Sequence, residues 1–191
     1  MNVRRTLAAG AVAGLMLVAL PSAAQADEIV RSGNYTVAAG RTIDGDLKVR
    51  NGTLTINGTV EGNVKQVGVG SIVIGKNGRV DGNVEETGHG TVQVHGRVDG
   101  NIQESSTGKL EIFRTARVDG NVHELHDGAV YIRGTVDGNV KESGAGHLYL
   151  YGTARIDGNA SERDKSNLYV YRGARVEGDI SEGGAGSRIN R

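Results

Sequence analysis

Charged residues recur in this sequence at intervals that invite a chemical reading. One acidic column runs Asp44, Glu61, Asp81, Asp99, Asp119, Asp137, Asp157 and Glu177, and two residues before several of its members stand Arg79, Arg97, Arg117, Arg155 and Arg175. A spacing of two on an extended chain puts acid and base on one face. Columns of opposite sign then neutralise each other on a solvated wall, which is a structural arrangement and not a catalytic pair. A second column, Glu86, Glu104, Glu124, Glu142, Glu162 and Glu182, has no basic column at the same offset, although Lys65 and Lys141 lie one residue before its positions. Placed in the long turn of each repeat, it reads as a charged corner that discourages lateral aggregation. A row of carboxylates could also supply some of the roughly six to eight oxygens that calcium takes, and the sequence leaves cation binding there open.

Other residues suggest binding or packing. Tyr131, Tyr149 and Tyr169 share one outward position in successive repeats, and Phe113, Tyr151 and Tyr171 lie two residues further on. Stacked tyrosines could form a stripe for glycan rings or a protein partner, or a cross-strand stabilising ladder. Asn63, Asn83, Asn101, Asn121, Asn139 and Asn159 predict side chains bonded to one another along an axis. His123 and His126 are the one close histidine pair. They lie in a turn and lack a third ligand, so no metal site is expected. No Ser-His-Asp set can be placed, and nothing points to a cofactor; the chain does not read as an enzyme.

The elements that carry these residues follow from a repeat. The block Val-Asp-Gly-Asn, or a close variant, begins at Ile43, Val60, Val80, Val98, Val118, Val136, Ile156 and Val176, at spacings of 17, 20, 18, 20, 18, 20 and 20. Val80, Gly82 and Val84 alternate with Asp81 and Asn83, the period of two of a strand with one buried face. Eight residues after Val84 comes a second alternating pair, Val92 and Val94, and the same step joins Ile102 to Leu110 and Val140 to Leu148. Only the link to the next block varies, being two residues longer through Gly75-Lys-Asn-Gly than through His95-Gly. Strands this short cannot bury their apolar faces alone, but stacked coil on coil they can. The fold class is therefore all-β, a single-stranded parallel β-helix of about eight coils with 18–20 residues per coil. At about 4.8 Å per coil the rod would be roughly 38 Å long. A hexapeptide helix is excluded because the apolar steps are not multiples of six.

Composition agrees with a lean, regular core. Of 191 residues, 31 are Gly and none is Cys or Trp, which excludes disulfides and thiolate chemistry, and 22 basic residues balance 22 acidic ones, so no nucleic-acid partner is indicated. Residues 1–26 stand apart. Arg4 and Arg5 precede an uncharged run from Leu7 to Leu20, and Ala24-Gln25-Ala26 follows. The run falls short of the about 20 residues of a membrane span and has the three zones of a secretory signal, with cleavage expected after Ala26 and no stable span thereafter. A secreted or envelope location follows, with the domain plan 1–26 signal, 27–42 half coil, 43–187 repeats and 188–191 polar end.

The phrase Val94-His-Gly-Arg-Val-Asp-Gly-Asn-Ile102, repeated as Ile132-Arg-Gly-Thr-Val-Asp-Gly-Asn-Val140, resembles the bactofilins, bacterial polymer-forming scaffold proteins. The resemblance spans about residues 35–190 and implies a right-handed triangular β-helix and self-association. It departs in the export signal, since the family is usually cytoplasmic, and in a longer turn, as in Glu85 to Thr91. Tyr35, Val37 and Ile43 mark the N-terminal coil as an open self-association end without a polar stop. Arg188 and Asn190, where other coils place Leu and Val, mark the C-terminal end as capped. The function expected is an exported, end-to-end scaffold of the cell envelope. The alternative is a secreted polysaccharide-binding module acting through Tyr131, Tyr149, Tyr151, Tyr169 and Tyr171.

Overall fold

A computed structural model describes residues 28–191, so the expected signal segment lies outside the described residues. Within that range the chain is all-β, with no helix, and winds into a solenoid of about eight turns bounded by three parallel sheets of nine, nine and eight strands. One coil shows the plan: Val84–His89 lies in the first wall, Val92–Val94 in the second and Arg97–Val98 in the third. Each strand pairs in register with its equivalent one coil before and after, so that Val92 stands between Ile72 and Leu110 and Val98 between Val80 and Val118. The short strands form because alternate Val, Ile and Leu side chains lose their water contact only on stacking. Their inward members, such as Val92, Val94, Val98 and Leu110, are fully buried.

The variable corner lies between the second and third walls. Where it is long, a turn takes up the two extra residues, closed by Ala116 N–H to the Phe113 carbonyl at 2.8 Å and Ala154 N–H to that of Tyr151 at 2.8 Å. The third-wall register, Arg97 beside Arg117 and Arg117 beside Thr135, is undisturbed. The block glycine sits where coils touch through backbone. A Cβ on Gly100 would come within 2.5 Å of the Gly82 carbonyl oxygen, and one on Gly82 within 2.6 Å of that of Gly62.

At the N-terminal end the coil begins earlier than expected. The first coil is complete, not half, because Ile29–Ser32 already pairs with Leu47–Arg50. At the other end Arg188–Asn190 forms the last strand of the second wall, paired with Leu168–Val170.

Candidate functional site

The third-wall columns neutralise each other as their spacing implied. The Arg117 Nε meets Asp119 at 2.8 Å in its own coil, while its other nitrogen reaches Asp137 in the next; Arg79 and Arg97 bridge in the same manner to Asp81, Asp99 and Asp119. Arg155 departs from this, donating instead to the carbonyls of Ala154 and Gly173 at 2.6 and 3.0 Å. Beside these columns runs the asparagine ladder. The Asn83 Oδ1 accepts both the backbone N–H of Asn101 at 2.8 Å and its side-chain amide at 3.1 Å, and Asp46 starts the series by accepting both from Asn63. Each such hydrogen bond contributes about 0.5–1.5 kcal/mol.

The second glutamate column is where the sequence reading fails. Glu86, Glu104, Glu124, Glu142 and Glu162 do not line a solvated corner; their side chains point inward and are fully buried. The alternation that buries Val84 simply continues to Glu86. The inner column reads Val49, Gln66, Glu86, Glu104, Glu124, Glu142, Glu162 from coil to coil, with Glu182 half-buried at its end. Part of its role is to satisfy the glycine-rich corner that follows. Glu124 accepts the N–H groups of His126 and Gly128 at 2.9 and 3.2 Å, Glu162 accepts that of Asp164 at 3.1 Å, and the buried Ser106 hydroxyl donates to Glu104. Burial above all, reinforced by the adjacent carboxyls, pushes Glu86 up to about 8, Glu124 to about 7 and Glu142 to about 10, and Glu162 also rises. Among the described residues no group of three or more His, Cys, Asp or Glu is disposed to hold a metal ion, and His123 and His126 do not form such a group.

The tyrosines on the second wall form a continuous ladder. Tyr131, Tyr149 and Tyr169 stack in parallel with ring centroids 4.8 Å apart, and Tyr151 stacks on Tyr171 at 4.9 Å. Their faces are covered beyond one another as well. Arg133 lies 4.1 Å over Tyr151, Arg191 lies 4.9 Å over Tyr169 and Lys109 lies 6.0 Å over Tyr131. Burial, then the neighbouring hydroxyls, push the Tyr149 phenol up. The neighbouring column also contains His95 on Phe113 at 3.8 Å, a pair that the sequence reading overlooked.

The coil ends are more alike than the sequence implied. At the N-terminal end Arg31 stands in register with buried Val49, and its guanidinium lies 5.3 Å over the half-buried Tyr35 ring, so a charged residue does occupy an inner position there. Val37 and Ile43 are already buried. At the C-terminal end Arg188 stands exposed in register with buried Leu168, and exposed Asn190 pairs with Val170. Arg188 does not seal that end. It borders a cleft of about 520 Å³ in which Val170, Ala174, Val176 and Ile180 remain only partly buried.

A stretch of 63 residues, 32% of this chain, is 43% identical to the anti-sigma-W factor RsiW of Geobacillus kaustophilus (strain HTA426), and covers 30% of that protein's length. No solved structure matches the chain. A family model for bactofilins, described as polymer-forming cytoskeletal, matches residues 35–125 and 86–181, two overlapping segments that take in most of the solenoid. With its uninterrupted three-walled coils and that match, the chain belongs to the bactofilin family.

Proposed function

We propose that this chain is an exported bactofilin that associates end to end through its terminal coils and serves as a scaffold in the bacterial cell envelope. The observation that carries the reading is the state of the two ends. Each finishes in parallel strands with one open edge, Ile29–Ser32 at one end and Arg188–Asn190 at the other, and the C-terminal end adds its half-covered apolar cleft. An open parallel edge with apolar side chains beneath it can extend the same stack by adding another coil. The family's description as polymer-forming supports self-association. Export rests on the zones of residues 1–26, and the mass of protein recovered from outside the cytoplasm would test it through cleavage after Ala26.

Sedimentation across concentration, with negative-stain microscopy, tests the assembly. Tyr35→Asp and Val176→Asp place a charge at one end each. If both variants stop at dimers while the parent forms filaments, both ends are used; if neither changes the sedimentation, end-to-end association is wrong. A second reading, polysaccharide binding on the tyrosine wall, is supported by three phenols in a row at 4.8 Å ring spacing. A polymer would meet their edges and hydroxyls, because their faces are covered. Loss of a glycan pull-down in a Tyr131/Tyr149/Tyr169 triple alanine variant would favour it.

A further inference from the structure

The buried glutamate column has a property that its corner hydrogen bonds do not explain. Glu124 and Glu162 each use one oxygen on the corner and leave the other without a donor; both oxygens of Glu86 and both of Glu142 lack one altogether. A buried carboxylate without a compensating partner is among the costliest groups a protein core can contain. No lysine, arginine or histidine is buried among the described residues, and Arg31, the cation in the column's own register, stands exposed in the first coil with Val49 and Gln66 between it and Glu86. The second wall turns Val92, Leu110, Val130 and Leu148 toward the interior, and the third wall turns Val98 and Val118. The polar groups near the column are Ser106, Ser166 and the corner N–H groups, together with the carboxyls of adjacent coils. Two carboxylates cannot bond each other, since both only accept; a carboxyl and a carboxylate can, through one proton.

We propose that Glu86, Glu104, Glu124, Glu142 and Glu162 form a proton-sharing ladder along the inside of the solenoid, so that the coil stack, and any assembly built from it, loses stability as pH rises. The column itself contains a natural analogue. Gln66 occupies the preceding coil's position, fully buried, as a neutral group of the same shape. The direction of the pH effect follows from proton counting. Glu86, Glu124, Glu142 and Glu162 lie above their ordinary value of 4.5 in the folded chain, so between that value and their raised ones the folded state binds more protons than the unfolded state. Their contribution is complete below about 4.5 and is lost as pH rises through about 7, 8 and 10. His123, lowered by its own burial and by Lys141, acts in the opposite sense.

The test is the thermal midpoint of the full chain from pH 5 to pH 9.5, beside the triple variant Glu86→Gln, Glu124→Gln, Glu142→Gln. The parent is expected to lose on the order of 10 °C across that range, and the glutamine variant to show a much flatter profile. A flat or rising parent profile, or a variant that keeps the parent's slope, overturns the proposal. Infrared spectra of the parent provide a measurement that needs no variant. A protonated-carboxyl stretch that persists at pH 7 and fades by pH 10 supports the ladder, and its absence at pH 7 overturns it. A third arm separates protons from metal. If calcium or magnesium restores at pH 9.5 the midpoint seen at pH 5, and a chelator removes it, the column binds cations and the proton ladder is wrong.

Discussion

Backbone contact at Gly100, repeated in the block of each neighbouring coil, sets a firm constraint at the scale of the single residue. Its would-be Cβ meets a carbonyl oxygen of the neighbouring coil, a group that cannot rotate away as a side chain can. Gly100→Ala is expected to cost about 1–3 kcal/mol by forcing two coils apart. Arg97→Ala, which removes half-exposed ion pairs screened by water, should cost clearly less. Urea midpoints of the two variants test that order, and a larger loss at Arg97 would contradict it. The glycine position was legible in the sequence because the repeat places it in every coil with the same apolar neighbours. The inward course of Glu86 was legible too, from the alternation through Val84 and from Gln66 and Val49 in the same column. Charge pointed the other way, because a carboxylate is ordinarily solvated. At Glu124 and Glu162 that preference is offset by the corner N–H groups of His126, Gly128 and Asp164, which become donors to the column only once the corner is folded, whereas Glu86 and Glu142 have no such donor.

The corners between walls govern the element scale. The long corner adds two residues without changing register, and in the short corner the same path is so tight that a Cβ on Gly134 would lie 2.4 Å from the Phe113 carbonyl oxygen. Deleting Arg114 and Thr115 should therefore be tolerated only together with Ala116→Gly, which gives this corner the length and the glycine of Arg133-Gly134. That variant is expected to keep the parallel-sheet circular dichroism and a midpoint within a few degrees of the parent. Deleting Arg114 alone shifts the following strand by one residue, exposes the Val118 face and should abolish cooperative melting. A cooperative transition in the single deletion would show that the corner does not set the register. Aromatic stacking also belongs to this scale. Equal spacing in sequence placed the tyrosines in columns, but only the coil geometry brings Arg133, Arg191 and Lys109 over their faces.

For the whole molecule, each coil contacts only its neighbours, so stability is greatest where a coil is covered on both sides. Amide hydrogen exchange should be slowest from about Ile72 to Ile132 and fastest in the first and last coils, where Ile29, Val176 and Ile180 are only partly covered. Assembly through the ends would slow the terminal coils in a concentration-dependent way, and uniform exchange along the rod would contradict nearest-neighbour stacking. At this scale Arg31 and Arg188 mirror each other. Each places a charge at the rim of an inner column, Arg31 beside Val49 in the column that continues to the glutamates and Arg188 beside Leu168 in an apolar one, and the expected difference between an open N-terminal and a closed C-terminal end is not seen.

The sequence by itself determined the coil, its period, its inner Val, Ile and Leu columns, the asparagine ladder and the opposed Arg and Asp columns. All of these are set by short-range alternation and by a repeat that returns like residues to the same position. Tertiary structure decided what depends on several coils and corners at once: the burial of the glutamates, the covered tyrosine faces and the condition of the two ends. A side chain's alternation tells which way it points. Whether a carboxyl is tolerated there depends on donors and neighbouring acids brought within reach only by folding.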